Sequence, residues 1–465
     1  MAERVRGAGE SVSFDVASLA RAVGGTVVRE GRLPIRGAAV DSRRVEPGNA
    51  FFALPGQRTD GHRFLSDAAQ RGAAALVVTQ EIPEEEAARL RVSGDPSIIA
   101  VGDATIALQQ AAADWRNRFE PVVVGVTGSL AKTSTKEQIA EVLSEQWNVL
   151  RNEANENNEI GLPLTMLRLA PEHDVAVFEM GMYTPGDISL LAALARPQIG
   201  VVTAVRGTHL SRAGSIDEIE RGKRELVEAL PTGGTAVLNA DDERVARMSD
   251  HVPPGVRVLT YGFDPSADVT ASGVESLGFD GMRFRLRAHD DEVEVTTPAL
   301  GRHSVHNGLA AAAVGIAAGM DLASIARGLT RPWSAPHRST IVDFGPIKVL
   351  DDSYNASPDS MIAALDLLAS LPGRHVAILG EMLELGDVSS AAHRRIERYA
   401  RQAADLVIAV GPYEFAEDRE SVMREIGERL RPGDVVLIKG SRGAAMEDLL
   451  PALEHAAKHP RVPVQ

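Results

Sequence analysis

The segment from Gly125 to Ser134, GVTGSLAKTS, combines the residue types of a phosphate-binding loop. A glycine-bearing loop that leads from a buried strand into a helix directs backbone N–H groups toward an anion. A lysine in such a loop neutralises the charge of β- and γ-phosphates, and the hydroxyl that follows it ligates Mg²⁺. The residues predicted to bind the nucleotide here are Gly128, Ser129, Ala131, Lys132, Thr133 and Ser134.

Two positions of this loop depart from the general pattern. Ala131 precedes Lys132 where a glycine is usual, and Val126 stands where the first glycine is expected. If residue 131 needs a positive φ, alanine costs on the order of 1 kcal/mol there. The competing interpretation is an ordinary turn between a strand and a helix, with a lysine that faces solvent.

Three further polar residues in the same section suit a metal-assisted site. Glu179 ends the apolar run Val175–Met180, His209 follows the run Ile199–Val205, and Lys223 lies in a charged helical segment. Ligands bind near the carboxyl ends of parallel strands, and carboxylate and imidazole groups are metal ligands. Each residue also has a plainer interpretation: a surface acid, a loop histidine and a solvated lysine.

Polar clusters also follow several strand candidates near the C-terminus. They are Asp351–Ala356, Gly380–Gly386 and Lys439–Arg442, and Arg338 precedes the first of these strands. Any one cluster is compatible with a turn. Because the carboxyl ends of parallel strands meet at one sheet edge, the clusters together predict a single rim that faces a ligand.

The elements that position these residues alternate between short apolar runs and helix-length segments. This alternation predicts an α/β protein with parallel sheets. A polar stretch before Pro121 and another near residue 332 divide the chain into three sections. We expect a small N-terminal α/β domain at 1–117, a central P-loop-type domain with a parallel sheet at 118–332, and a C-terminal Rossmann-like α/β domain at 333–465.

Composition agrees with this organisation and excludes several classes of function. The chain has 465 residues, a net charge of −15 and no cysteine. The negative charge argues against general nucleic-acid binding, and the lack of cysteine excludes disulfides and thiolate chemistry. No apolar run approaches the roughly 20 residues of a membrane helix, and the first residues lack the apolar core of a signal peptide. We expect a cytoplasmic protein.

Taken in order, these motifs make the chain similar to the Mur ligases of peptidoglycan synthesis. The similarity extends from about Val16 to Leu450. The segments that carry it are Asp41–Arg43, Pro47-Gly48, Phe51–Gly56 and Asp60–His62 in the first section; Thr127–Lys136, Asn155–Pro163, Glu179–Gly181, Thr208–Leu210, Gly214-Ser215, Lys223–Glu225, Asn239–Asp242 and Gly301–Asn307 in the second; and Asp351–Pro358, Gly380–Gly386 and Lys439–Arg442 in the third.

The resemblance implies an ATP-dependent carboxylate–amine ligase with three substrates. Its N-terminal domain would hold a UDP-sugar, its central domain ATP with Mg²⁺, and its C-terminal domain the incoming amine. Asp351–Ala356 and Glu384–Gly386 favour the type that adds D-alanyl-D-alanine to UDP-N-acetylmuramoyl-tripeptide through an acyl phosphate. We expect a monomer that completes its site by domain closure.

Residue by residue, the resemblance assigns roles across the chain. Lys132 would hold phosphates, and Thr133, Glu179 and His209 would ligate Mg²⁺. Lys223 would be the family's carbamylated lysine and a further metal ligand. The nucleotide would also meet Asn307, His303, Arg338 and Asp352. The UDP-sugar side would be formed by Asp41, Ser42, Arg43, Asp60, Gly61, His62 and Asn158.

Four positions differ from the family pattern, and two other functions remain open. Leu130 and Ala131 replace Asn-Gly, and Ala204 and Ser304 each stand where an asparagine is usual. The lysine, threonine and proposed metal ligands are retained, which favours an active enzyme. The alternatives are another amino-acid ligase of the same superfamily and a nucleotide-binding homologue without catalytic activity.

Overall fold

The structure, a computed structural model, describes residues 13–56, 59–207, 214–333 and 335–458. The predicted metal ligand His209 therefore lies outside the described residues. Within the described ranges, no helix is both long and apolar enough to cross a membrane.

Helices, numbered in chain order, occur throughout the described chain. They are α1 Val16–Ala22, α2 Leu65–Gln70, α3 Glu84–Val92, α4 Ala104–Arg116, α5 Lys132–Leu143, α6 Gly161–Met166, α7 Asp187–Ala195, α8 Ile216–Glu228, α9 Glu243–Ala246, α10 Arg302–Ala317, α11 Leu322–Leu329, α12 Pro358–Ser370, α13 Ser389–Ala403, α14 Arg419–Arg429 and α15 Leu450–Lys458. Short 3₁₀ helices include Ser42–Arg44 and Gly61–Phe64.

The strands of the described residues form three sheets, two of five strands and one of nine. They are β1 Thr26–Arg29, β2 Ala38–Ala39, β3 Ala50–Phe52, β4 Ala75–Val78, β5 Ser97–Ala100, β6 Val122–Thr127, β7 Val149–Arg151, β8 Val175–Glu179, β9 Ile199–Val202, β10 Thr235–Asn239, β11 Arg257–Gly262, β12 Val269–Ser276, β13 Met282–Ala288, β14 Asp291–Thr297, β15 Thr340–Asp343, β16 Lys348–Asp351, β17 Arg374–Leu379, β18 Leu406–Ala409 and β19 Asp434–Lys439.

The first of two compact units comprises residues up to Gly125, Trp147–Gly181 and Asp187–Gln198. Its five-stranded sheet has the order β1-β5-β4-β3-β2, with β2 to β5 parallel and β1 antiparallel. The core on this sheet includes Phe51, Leu76 and Leu90, which are fully buried. β7 and β8 also pair in parallel within this unit.

The second unit comprises Val126–Gln146, Met182–Gly186 and the residues from Ile199 onward. Its strands β9, β10, β11 and β12 pair in parallel, and β13 then pairs antiparallel with both β12 and β14. A core that includes Val202, Leu238 and Val227 joins the parallel strands to α8. α10 packs against α5, so the helix after the phosphate loop has a rigid neighbour.

The C-terminal part of this unit is a sheet with helices on both faces. Its order is β15-β16-β19-β17-β18, parallel except for β15. One apolar core, with Leu365 and Ile396, contains residues of α12 and α13; another, with Ile426 and Leu453, contains residues of α14 and α15. The parallel strand ends β16, β17 and β19 bring the three predicted polar clusters to one edge.

The predicted α/β class is confirmed, and the main difference concerns β12 to β14. The central sheet was expected to be parallel, yet β13 pairs antiparallel with both β12 and β14, while β12 still pairs in parallel with β11. β13 alternates buried and exposed residues, which is the pattern of a sheet with one covered face. β9 also ends at Val202 rather than Val205, since the Val205 N–H donates to the Asp242 carboxylate at 3.0 Å instead of continuing a ladder.

Candidate functional site: the nucleotide and substrate residues

The phosphate loop between β6 and α5 has two residues with positive φ. Gly128 has φ 152°, and a Cβ there would lie 1.8 Å from the Thr203 hydroxyl oxygen, so only glycine fits. Ala131 has φ 62° and ψ 2°, the left-handed conformation, and immediately precedes α5. Residue 131 therefore has the positive φ for which the sequence predicted a cost to alanine. Alanine holds a conformation that costs an L-residue roughly 1–2 kcal/mol.

Hydrogen bonds from the segment after β9 hold this loop in place. The Ser129 N–H donates to the Ala204 carbonyl at 2.7 Å, and the Arg206 N–H donates to the Ser129 hydroxyl at 2.9 Å. The Thr203 hydroxyl donates to the Leu130 carbonyl at 2.6 Å. Thr203 was not predicted as a site residue, because its role depends on the approach of two segments more than 70 residues apart.

Lys132 and Thr133 occupy the first turn of α5. The Lys132 ammonium donates to the Gly128 carbonyl at 2.9 Å, so the side chain turns back over its own loop. Thr133 is buried, with 8% of its surface exposed. The start of a helix offers backbone N–H groups and a favourable dipole for an anion, and a cation next to it adds to this attraction.

A cavity of about 240 Å³ lies in the same unit. Four predicted residues line it: Ser134, His303, Asn307 and Arg338. The remaining wall is largely apolar, formed by Phe279, Pro298, Ala299, Leu300, Pro332, Trp333, Ala335 and Ile341 together with Ser304, Ser339 and Thr340. An apolar slot with a few convergent polar groups is the usual form of a site for a flat organic ring.

Asn307 is the polar residue best placed to recognise a ligand in this cavity. Its residue surface is only 5% exposed, and its amide makes no hydrogen bond with another described residue. The amide lines the cavity, where it can offer one donor and one acceptor to a ligand. The hydroxyl of neighbouring Ser304 instead donates to the Gly301 carbonyl at 2.7 Å.

His303 and Arg338 contribute different properties to the cavity wall. Burial lowers the pKa of His303 below its usual value, so the ring is kept neutral. Its Nε2 lies 3.4 Å from the Ser339 hydroxyl. The Arg338 guanidinium stacks over the Tyr354 ring at 4.0 Å, between two left-handed residues, His337 and Ser339. The partners that fix this backbone lie at the end of β16 and in the loop after it: Asp351 contacts His337, and Asp352 accepts the Ser339 N–H.

Asp352 does not line the cavity but supports its edge. One carboxylate oxygen accepts the Ser339 N–H at 3.0 Å, and the other lies 2.5 Å from the buried Lys439 ammonium. Lys439 also donates to the Asn355 carbonyl at 2.9 Å. Sequence analysis placed Lys439 at the rim without a role. The pair explains how the ends of β16 and β19 are held together.

Lys223 lies inside α8 with its side chain buried rather than solvated. Burial first, and then the charge of Lys132, hold its pKa well below the usual lysine value. Both causes act against the ammonium form, so the amine is favoured. A neutral amine is a nucleophile, whereas an ammonium is not. The solvated interpretation of Lys223 is therefore wrong.

In the first unit, Glu179 ends β8 and is almost fully buried, with 2% of its surface exposed. Its Oε1 accepts the Asn157 side-chain amide at 2.8 Å. The Asn152 side-chain amide donates to the Glu179 carbonyl at 3.1 Å, and its oxygen accepts the Glu179 N–H at 2.9 Å. Asn158, predicted from the sequence as a substrate-side residue, accepts the Ile160 and Gly161 N–H groups through its side-chain oxygen. The two asparagines are adjacent, and only the fold distinguishes them.

The predicted sugar-side residues form two short turns. Asp41 caps the 3₁₀ helix that begins at Ser42, and Arg43 bonds both its carboxylate oxygens, at 2.9 Å and 2.6 Å. These bonds lower the pKa of Asp41. Ser42 is buried, whereas the Arg43 side chain is 81% exposed, which leaves a cation at the surface.

The second turn is built on Asp60, Gly61 and His62. Asp60 accepts the His62 N–H at 2.9 Å and contacts its Nδ1 at 2.6 Å, while His62 Nε2 accepts the Thr79 N–H at 3.0 Å. These partners require the neutral ring with hydrogen on Nδ1. A Cβ on Gly61 would lie 2.8 Å from Ala53 Cα, so the turn needs glycine.

Family models match the chain in three consecutive segments. They are described as the Mur ligase family, catalytic domain, at residues 34–116; the Mur ligase middle domain, at 126–315; and the Mur ligase, glutamate ligase domain, at 337–442. The chain belongs to the Mur ligase family. The three-domain α/β organisation predicted from the sequence is confirmed by these matches, while its exact boundaries stay predictions.

Individual Mur ligases are similar to this chain over nearly its whole length. The UDP-N-acetylmuramoyl-tripeptide–D-alanyl-D-alanine ligase of Escherichia coli K12 is 35% identical over 89% of this chain and 92% of its own. A crystal structure of MurF from Acinetobacter baumannii has a TM-score of 0.86 at 28% identity, covering 96% and 99% of the two chains. The MurF ligase of Thermotoga maritima, solved with ADP, has a TM-score of 0.78 at 26% identity, covering 91% and 98%.

Proposed function

We propose that this Mur ligase joins D-alanyl-D-alanine to UDP-N-acetylmuramoyl-tripeptide and uses ATP as its energy source. The identity of 35% to a ligase of this name, over 92% of that ligase's length, supports the choice of substrates. The T. maritima relative solved with ADP supports an adenine nucleotide. We infer that the reaction belongs to peptidoglycan precursor synthesis, and we expect a monomer in the cytoplasm.

One observation in the structure carries the nucleotide assignment. Ser134, two residues after Lys132 in α5, lines the same cavity as Asn307 and Arg338. The phosphate loop and the base cavity are therefore within one nucleotide's reach of each other. The Asn307 amide offers a donor and an acceptor, the pair that reads the N6 and N7 edge of adenine.

The oxygen ligands of this chain fit Mg²⁺, which when bound offsets the negative charge of the phosphates. Thr133 offers a buried hydroxyl at the start of α5, and Glu179 a buried carboxylate oriented by Asn157. His209 and Lys223 complete the proposed set.

Lys223 suits the carbamate that the family resemblance assigns to it. Its lowered pKa favours the neutral amine, and that amine attacks the carbon of CO₂ with loss of one proton. The product is an anion, which reverses the charge of the side chain. A buried anion then favours a nearby cation, so we propose that carbamylation and metal binding support each other.

The chemistry needs two anions to approach each other. A substrate carboxylate attacks the γ-phosphorus of ATP and displaces ADP, which gives an acyl phosphate. The amine of D-alanyl-D-alanine then attacks the activated carbonyl carbon, and an amide forms with loss of a proton and release of phosphate. Lys132 offsets charge during the first step, and Arg338 brings a second cation to the nucleotide. Asp352 acts through Ser339 and Lys439 by fixing the cavity edge.

Phosphate release tests the function as a whole. The wild-type chain is mixed with ATP, Mg²⁺, UDP-N-acetylmuramoyl-tripeptide and D-alanyl-D-alanine, and each component is omitted in turn. We expect release only in the complete mixture, and no release from Lys132→Ala. Release that continues without D-alanyl-D-alanine, or that needs a single amino acid instead, would reject the proposed amine. ADP binding without turnover in any mixture would favour a non-catalytic homologue.

A further inference from the structure

A chain of hydrogen bonds runs from α10 across two strand ends to the phosphate loop. His306 Nε2 lies 3.2 Å from Asn239 Oδ1 at the end of β10. The Asn239 amide nitrogen donates to the Thr203 carbonyl at 2.7 Å, and the Thr203 hydroxyl donates to the Leu130 carbonyl at 2.6 Å. The path thus ends on the residue before the left-handed Ala131.

The direction of each bond is fixed by its other partners. Asn239 Oδ1 also accepts the Asp241 N–H at 2.9 Å, which sets the orientation of its amide. His306 Nε2 lies 3.2 Å from the Asp241 carboxylate as well as from Asn239. Both of these are acceptors, so the Nε2 of His306 carries hydrogen and donates.

The surroundings of His306 hold its ring still. The ring packs beside Tyr261 and Phe263, with centroids 5.2 Å and 5.6 Å away. Its partner Asp241 is itself fixed, since it accepts the N–H groups of Phe263 at 2.7 Å and Asp264 at 2.9 Å. His306 is therefore a rigid donor rather than a mobile surface histidine.

At the Thr203 end, the path reaches the backbone next to the strained, left-handed Ala131. Thr203 is 4% exposed, and its hydroxyl fills the space beside Gly128, where no Cβ fits. Its N–H also donates to the Thr127 carbonyl at 3.0 Å. A non-glycine residue in the left-handed region persists only when the surrounding structure enforces it. The Thr203 bond to Leu130 is one such restraint.

We propose that His306 is a positioning residue for the phosphate loop, acting through Asn239 and Thr203. His306 precedes Asn307 on α10, so the same helix that reads the base also sets the register of the loop that holds the phosphates. This inference rests on the proposed nucleotide site and adds to it a residue outside the cavity and the loop.

Comparison of ADP with adenosine separates this role from a general loss of structure. Both ligands use the base cavity, but only ADP uses the phosphate loop. We expect His306→Phe, which keeps the ring packing and removes the donor, to weaken ADP about fivefold to tenfold by calorimetry, as the loss of one restraining hydrogen bond predicts. Adenosine affinity should stay within about twofold. His306→Gln, which retains an N–H donor, should recover most of the ADP affinity.

His289→Asn is the matched control, because His289 is an exposed turn residue with φ 55°, a conformation that asparagine tolerates. It should bind both ligands like the wild type. A double-mutant cycle with Thr203→Ala then tests the path. If His306 acts through Thr203, the double variant loses no more ADP affinity than Thr203→Ala alone.

Equal losses for ADP and adenosine in His306→Phe, or losses that multiply in the double variant, would overturn the inference. Unchanged ADP affinity in His306→Phe would also overturn the inference, but it would leave the proposed function intact. A wild-type chain that binds no ADP would instead reject the nucleotide site itself. Thermal unfolding of each variant identifies any that fail to fold. If His306→Phe is one of them, Thr203→Ala carries the comparison of ADP with adenosine, because it removes the last bond of the same path, and equal losses for the two ligands would then overturn the inference.

Discussion

Ala131 offers a direct measure of the strain in the phosphate loop. Its φ of 62° and ψ of 2° place an L-residue in the left-handed region at the start of α5. The steric cost there is roughly 1–2 kcal/mol. Ala131→Gly removes this cost but gives the unfolded chain more conformational entropy, which reduces the gain in stability by about 0.4–1 kcal/mol. We therefore expect Ala131→Gly to stabilise the protein by about 0.5–1 kcal/mol.

Denaturation with urea, compared across three alanine positions, measures this difference. Ala445→Gly provides a second left-handed site, at φ 44° and ψ 50°, in the loop after β19, and should stabilise by a similar amount. Ala391→Gly changes an exposed position inside α13 and should destabilise by about 1 kcal/mol, because glycine is a poor helix former. ADP affinity should change less than about threefold in Ala131→Gly, since glycine adopts the same backbone conformation.

Two results of these measurements would contradict the reasoning about Ala131. If Ala131→Gly and Ala391→Gly destabilise equally, the left-handed alanine carries no strain, and the argument for external restraint by Thr203 loses its basis. If Ala131→Gly stabilises but abolishes ADP binding, the methyl group itself contributes to the phosphate site.

Three other changes test separate parts of the structure. Gly128→Ala should lower ADP affinity at least tenfold and destabilise by about 1–3 kcal/mol, because its Cβ overlaps the Thr203 hydroxyl; Gly186→Ala, also at positive φ but in open space, should leave ADP titrations unchanged. The lowered pKa of His303 means that the unfolded chain takes up this proton first, so stability should fall as pH drops below about 6.5, and His303→Gln should reduce that slope in pH-dependent urea unfolding. Lys439→Met should cost about 3 kcal/mol in thermal or urea unfolding by leaving Asp352 without its buried cation, and a smaller loss would reject that pairing.

Most of the strand and helix positions followed from local pattern. Continuous apolar runs such as Val175–Met180 predicted buried parallel strands, and the structure has β8 at Val175–Glu179. The hairpin strands β13 and β14 were not predicted, because their alternating residues resemble polar loops when no partner strand is known. Which strands pair depends on distant residues, and no local pattern contains that information.

For the candidate site, too, some features followed from the sequence and others only from the fold. The sequence by itself determined the residue types: a lysine and a threonine after a strand, a strand-end glutamate, and glycines at Gly128 and Gly61, where no side chain fits. Chemistry needs these types, so their spacing along the chain is enough to find them.

Only the tertiary structure decided the state and the partners of each group. It buried Lys223 and so favoured its neutral amine, and it brought the Asn157 side-chain amide to the Glu179 carboxylate. It also joined His306 to Leu130 through three hydrogen bonds between residues that lie 67, 36 and 73 positions apart in sequence. Desolvation, hydrogen-bond direction and long-range contact arise when segments pack together, which is why the order of residues alone does not specify them.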